Sequence, residues 1–290
     1  MKGAMKVWLI IGACLIAAGL VICAVALVAL GFNFKNISTQ KMQTNIYTPE
    51  GEFNNILVNV KTADVIFAVA EDGKTKVICY EEENAKHKVE IANNGLVIAD
   101  KNDRKWYENI DIHTESVTVT IYLPAELYYG EFNLYCTTGD ITMPKDFTFL
   151  KAKVKTTTGD IDWNAQTAGK LQLQCTTGDI TVQDVHCGYL EIQGTTTDVK
   201  LKDTAADEIM KIKVTTGHVD LERVDAAELH IKTTTGDVTG TLVNDKIFDT
   251  NTTTGMIVTS RGEVVNDTTK PLGTCKVETT TGDINIKIEQ

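Results

Sequence analysis

Carboxylates recur in this chain at a spacing that could do chemistry. Asp140, Asp160, Asp179, Asp198, Asp237 and Asp283 share one column with His218 and Met256. The intervals along that column are 20, 19, 19, 20, 19, 19 and 27 residues. Stacked at a strand spacing of about 4.8 Å, Asp140, Asp160 and Asp179 would repel one another and could hold Ca²⁺ between them. Clustered carboxylates in a surface groove are also the equipment of polysaccharide-cleaving enzymes. Against both stands an Asx role, in which each Asp bonds its own turn backbone. Every unit offers the same pair, and His218 and Met256 interrupt the column. The structural role is therefore preferred, with no catalytic residue, no cofactor and no enzyme activity assigned.

Such a column needs an element that repeats in register. The residue before each Asp is Gly139, Gly159, Gly178, Thr197, Gly217, Gly236, Gly255 or Gly282. Two residues after this slot stand Ile141, Ile161, Ile180, Val199, Val219, Val238, Ile257 and Ile284, all β-branched. Five before it stand Leu134, Val154, Leu173, Ile192, Ile212, Ile231, Thr250 and Val277. The positions four and six before it are polar, with Tyr135 the outlier. This alternation has period two, so one face goes inward and one meets water.

Each unit reads as strand, tight turn, strand, second turn. The turn residues are Thr138, Gly139 and Asp140, then Gly159 and Asp160, Gly178 and Asp179, Gly236 and Asp237, and Gly282 and Asp283. A unit of 19 or 20 residues cannot bury its apolar face alone, and stacking identical units buries a continuous core. The expected fold is all-β, a β-solenoid over 131–290. The two positions before the slot hold Thr in all eight units. Alternation predicts that one Thr of each pair faces in and one faces out, as part of a threonine array of the kind that suits glycans or ice.

Residues 45–130 are less regular and read as a leading β region that caps the stack. Lys61 to Phe67, "KTADVIF", imitates the turn and reads as a degenerate first rung. "NNGLVI", from Asn93, signals a hairpin in which Asn94-Gly95 supplies positive φ. At the other end the chain stops soon after Ile284, Ile286 and Ile288. Lys287 and Glu289 would be the charges that blunt this final edge.

The first residues pose a separate question. Residues 7–31 carry no charged side chain, and as a helix they would extend about 37 Å. Lys2 and Lys6 precede them and no acidic residue occurs before Glu50. The expectation is a cytoplasmic tip and transmembrane anchor over 1–31, a tether over 32–44, and a cell-membrane protein with its N-terminus inside and its C-terminal domain outside. A signal peptide cleaved near Ala24-Val25-Ala26 is the alternative.

The chain carries 28 Lys+Arg against 39 Asp+Glu, a formal net charge of −11. That disfavours nucleic acid and anionic surfaces as partners. Among the seven cysteines there is no C-x-x-C. Cys136 and Cys175 share an inward column but are two rungs apart, about 10 Å, beyond disulfide reach. They read as buried free thiols, and no metal site is indicated.

The TTGDI and TTGDV turns at this spacing, together with the passage "LPAELYYGEFNLYCTTGDI", resemble the bacterial putative-adhesin β-strand-repeat family, the toast-rack domain. The resemblance covers about residues 45–290. It implies an envelope-exposed β-solenoid, often encoded near membrane-stress or phage-shock-like signalling components. The family has no assigned biochemical activity, so it contributes no functional residues. Thr197, His218 and Met256 depart from its turn.

The function expected is non-enzymatic: an adhesin-like, envelope-stress-sensing or interaction scaffold. The alternatives are a polysaccharide-active β-helix enzyme or a glycan-binding surface module. Partners would be an envelope protein, a peptide or a cell-wall polymer. Trp106, Tyr107 and Tyr135 are candidate contacts, because amphipathic rings enrich at interfaces. Self-association through the C-terminal rung is a further expectation.

Overall fold

Each rung begins with a longer strand, bends at the glycine slot and continues in a shorter strand. A computed structural model describes residues 2–29, 41–101, 116–125, 127–260 and 273–289. Helix α1 (Lys2–Ala29) comes first. It is followed by β1 (Met42–Tyr47), β2 (Asn55–Thr62), β3 (Asp64–Val69), β4 (Lys76–Glu82), β5 (His87–Ala92), β6 (Gly95–Asp100) and β7 (Thr118–Leu123). The regular rungs are β8 (Tyr128–Thr138) with β9 (Ile141–Met143), β10 (Thr148–Thr158) with β11 (Ile161–Trp163), and β12 (Gln166–Thr177) with β13 (Ile180–Gln183). Next come β14 (His186–Thr196) with β15 (Val199–Lys202), then β16 (Ala205–Thr216), β17 (Val219–Thr235) and β18 (Val238–Leu242). The last are β19 (Lys246–Thr254) with β20 (Ile257–Ser260) and β21 (Gly273–Thr281) with β22 (Ile284–Ile288).

Longer strands stack on longer strands and shorter on shorter, all parallel through the regular part. Val154 pairs with Leu173 and Thr156 with Cys175 in one sheet. Ile161 pairs with Ile180 in the other. Strand β17 serves both sheets, pairing with β15 through Val219 and with β16 through Leu229. The expected all-β solenoid is therefore observed. Its core lies between the two sheets and holds the predicted columns: Leu134, Val154, Ile192, Ile212 and Val277 are each fully buried. At about 1.5–3 kcal/mol per buried aliphatic side chain, this repeated packing is what joins neighbouring rungs. An aromatic group adds to it, with Phe132, Phe149 and Trp163 in mutual ring contact at 5.0–5.7 Å.

The order of rungs in space is not the order in sequence. At the leading end, β2 lies between β6 and β8, and β3 between β7 and β9. The later rung β6–β7 thus sits outside the earlier one. "KTADVIF" is indeed a rung: the Ala63 amide donates to Thr138 O at 3.0 Å, as each slot residue bonds its neighbour. Beyond β6–β7 the parallel pattern ends. Strand β4 runs antiparallel to β7, β1 antiparallel to β4, and β5 antiparallel to β6. The hairpin between β5 and β6 turns on Asn93 and Asn94, at φ 49° and 60°. Gly95 is already in the strand, so the positive φ belongs one residue earlier than the Asn-Gly signal suggested.

At the trailing end the same inversion occurs. Strand β21 lies between β17 and β19, and β22 between β18 and β20. The 27-residue interval is the length of chain needed to pass the β19–β20 rung and return beneath it. The last rung in sequence is therefore internal, and Ile286 is fully buried. Among the described residues the open edge belongs to β19 and β20 instead, and Lys287 and Glu289 do not guard it.

The expected membrane anchor is corrected. Among the described residues no helix is long and apolar enough to cross a membrane. The single-pass topology, the signal-anchor and the cell-membrane localisation with the N-terminus inside fall with it.

Candidate functional site: the turn ridge

The turns stack into one continuous ridge, and its chemistry follows from how each turn meets the next. Gly159 and Gly178 have φ of 128° and 133°, a region that L side chains rarely enter. A Cβ on Gly159 would also strike the carbonyl of Gly139, and one on Gly178 that of Gly159. Glycine is thus required by both backbone angle and rung spacing.

The Asp column is a chain of hydrogen bonds between rungs. The amide of Asp160 donates to Asp140 Oδ1 at 2.8 Å, and that of Asp179 to Asp160 Oδ1 at 2.8 Å. The series begins with the Asp140 amide on Asp64 Oδ1 at 3.1 Å. It ends with the Asp283 amide on Asp237 Oδ1 at 2.7 Å and the Met256 amide on Asp283 Oδ1 at 2.8 Å. Each carboxylate caps the next turn rather than its own, which corrects the expected Asx pattern. Because these are charge-assisted bonds, the column holds the ridge together. One oxygen of each of Asp140, Asp160 and Asp179, Oδ1, which a Ca²⁺ ladder could use, already accepts from backbone.

The three departures from the turn pattern now have physical causes. His218 accepts the Asp237 amide on Nδ1 at 3.1 Å, so its ring replaces a carboxylate as acceptor. Met256 lies in the outermost rung, where no further amide needs an acceptor. Thr197 occupies a glycine slot but turns its side chain inward, and it is buried. The space it fills is vacated by Gly194 in the same rung: a Cβ on Gly194 would meet Thr197 Cβ. Neighbouring rungs fill that space with Cys175 and Val214, which pair with Gly194 in register.

None of the sixteen ridge threonines is buried. The bend interrupts the period-two alternation, so both members of each pair lie outside, contrary to the one-in, one-out expectation. The ridge bears an open groove of about 520 Å³ spanning the rungs from Asp179 to Gly282. Its lining includes Thr196, Asp198, Thr216, His218, Thr235 and Asp237, so it centres on the place where the Asp column is broken.

The remaining expected residues lie elsewhere. Tyr135 is half-buried on the outer face of its sheet, with Lys153 Nζ 5.8 Å from its ring centre. Trp106 and Tyr107 lie outside the described residues. Cys136 and Cys175 are free and buried, as expected, and Cys175 donates to the Gly159 carbonyl at 3.3 Å.

One cluster was missed by the sequence reading. Cys79, Glu81 and His87 are buried together in the cap, their ligand atoms within 4.8 Å of one another. Glu81 Oε1 accepts from Asn45 Nδ2 at 2.6 Å and from the Tyr47 hydroxyl at 2.9 Å. Glu81 Oε2 meets both the amide and Nδ1 of His87 at 2.6 Å. Burial pulls the Glu81 pKa up, but the bonds from His87, Asn45 and Tyr47 outweigh it and hold it below its ordinary 4.5. Burial, and then the Glu81 charge, push the Cys79 thiol up to about 12. Cysteine, carboxylate and imidazole are a zinc-type set, yet this carboxylate is saturated by protein donors and the thiol is held protonated. The cluster fits an internal hydrogen-bonded network better than a metal centre. Its trace in the sequence is slight: Cys79 and Glu81 share one face of β4, with His87 one turn further on.

A family model for the toast-rack domain, described as Toastrack DUF4097, matches residues 53–246. The chain belongs to the toast-rack family. No curated protein matches it. Among solved structures, a putative lipid binding protein from Parabacteroides distasonis is similar at 13% identity and TM-score 0.50, over 87% of this chain and 98% of that one. A putative adhesin from Bacteroides fragilis is similar at 19% identity and TM-score 0.46, over 86% of this chain and 97% of that one. At such identities the likeness to the first concerns the fold alone. The toast-rack rungs thus account for the repeat, and the ridge is what they present to solvent.

Proposed function

We propose that this toast-rack protein is a non-enzymatic, adhesin-like recognition scaffold that holds an extended glycan, such as a cell-wall polymer, along its turn ridge. The observation that carries this reading is the groove over Asp198, His218 and Asp237. It is long and open, and it presents one ridge threonine from each of four rungs, Thr196, Thr216, Thr235 and Thr281. A polymer with repeating hydroxyls can match such a surface over several rungs, adding weak contacts by avidity. The exposed carboxylates favour neutral or amino-bearing sugars over polyanions. A sensing role in envelope stress would use the same binding step.

The test is co-sedimentation of the protein with purified peptidoglycan and titration with soluble amino-sugar oligomers. Thr216→Arg and Thr235→Arg fill the groove without touching the inter-rung hydrogen bonds. Both variants should keep the parent melting temperature and lose most binding. Binding that is absent from the parent, or equal in parent and variants, defeats the proposal. Release of shortened oligomers would establish the polysaccharide-active enzyme instead.

A further inference from the structure

The two ends of the stack are finished differently, and the unfinished one has a distinctive chemistry. Among the described residues, strand β19 pairs only with β21, and β20 only with β22. One side of each therefore presents unpaired backbone N–H and C=O groups along a sheet edge. Natural edges of this kind are blunted by lysine, proline, bulges or a covering strand. Here Ile247, Met256, Ile257 and Val258 are 50%, 68%, 43% and 47% exposed. The two charges on these strands are neutralised within the chain. Lys246 is buried against Asp225 Oδ1 at 2.6 Å, and Asp249 lies 3.8 Å from Lys276 Nζ.

We infer that the β19–β20 edge is a self-association surface, on which a second copy of this chain docks edge to edge. Three observations select a second copy. A two-fold axis across the stack brings two like edges together with their strands antiparallel, the arrangement that satisfies the open groups of both. The edge is locally neutral in a chain of net charge −11, so it is a place where two copies approach without like-charge repulsion. Finally, such a two-fold contact uses the β19–β20 edge of both copies at once, so the assembly stops at two. This inference is independent of what the ridge binds.

The experiment is sedimentation of the full chain over a concentration series, with amide exchange followed at each concentration. The mass should rise from one copy to two and stop. Edge amides in β19 and β20 should exchange on the order of tenfold more slowly in the dimer. Ile247→Lys with Val258→Lys, both on outward-facing positions, should raise the dissociation constant by at least about tenfold. Leu57→Lys, the same change on a mid-stack strand, should leave it unchanged. A single-copy mass throughout overturns the inference. So does association with concentration-independent exchange in β19–β20, which would place the contact elsewhere, such as on α1. Equal behaviour of the edge variant and the control overturns it as well.

Discussion

The leading and trailing ends of this solenoid solve one problem in two ways. At both ends the chain lays down a rung, builds an outer rung, and returns to insert the next rung inside. At the leading end the outer rung is then covered by antiparallel β4, β1 and β5. A buried polar network centred on Glu81 ties β1, β4 and β5 to one another. At the trailing end no described strand covers the outer rung. The column two residues past the slot records the difference: Ile161 is 1% exposed and Ile257 is 43%. Identical side chains in equivalent rungs thus differ in how much apolar surface they remove from water. The comparison teaches that the repeat alone does not terminate itself. Termination takes either extra strands with their own polar core or a partner.

The largest effect should come from breaking the cap. Glu81→Ala leaves His87, Asn45 and Tyr47 without their acceptor in a buried site. The expected loss is about 3–5 kcal/mol, read from chemical unfolding, with β1, β4 and β5 losing amide protection first. The second test uses the isoleucine column. Ile161→Ala should cost roughly 2–5 kcal/mol, and Ile257→Ala less than about 1 kcal/mol in the monomer. Equal costs would mean that the trailing edge is covered and that the two ends are alike after all.

Much of this was legible in the sequence, and the limits have physical reasons. The columns fixed which residues face the core, because in a strand a residue's face follows from its parity. They did not fix which rung lies next to which, since Ile257 and Ile284 suit the same column in either order. The 27-residue interval was the only trace of the crossing. The threonine pairs were misread because a bend resets parity. The Asp column was read as local capping, whereas the bonds run between rungs, a relation that no single turn contains. The Glu81 network was invisible for another reason. Cys79 and Glu81 look like ordinary alternation, and their burial depends on β1 crossing β4 from more than thirty residues away.

Acid should separate the two ends more gently than mutation. The Glu81 pKa is held below its ordinary 4.5 in the folded state. Its contribution is therefore complete above about pH 4.5 and is lost as pH falls through the lower, folded value. Melting temperature should decline across that acid window, with the cap opening before the regular rungs. Glu81→Gln should flatten this part of the profile, since the titrating group is gone. An unchanged slope in that variant would assign the acid sensitivity to groups other than Glu81.

The smallest effects lie on the ridge, where an interior position and an end position can be exchanged in kind. Asp160 accepts the Asp179 amide from the next rung. Asp160→Ala removes that acceptor at an exposed turn, where water can partly replace it, so the expected cost is about 0.5–1.5 kcal/mol. Met256→Asp makes the opposite change by restoring the column's consensus residue at the open end. No rung stacks beyond it to donate an amide, so stability should stay within about 0.5 kcal/mol of the parent. If Met256→Asp instead stabilises the chain by as much as Asp160→Ala destabilises it, a donor must reach that position from outside the rung. Repeating the measurement across protein concentration would then show whether the donor belongs to a second copy. A gain that grows with concentration would join the ridge of one molecule to the edge of another.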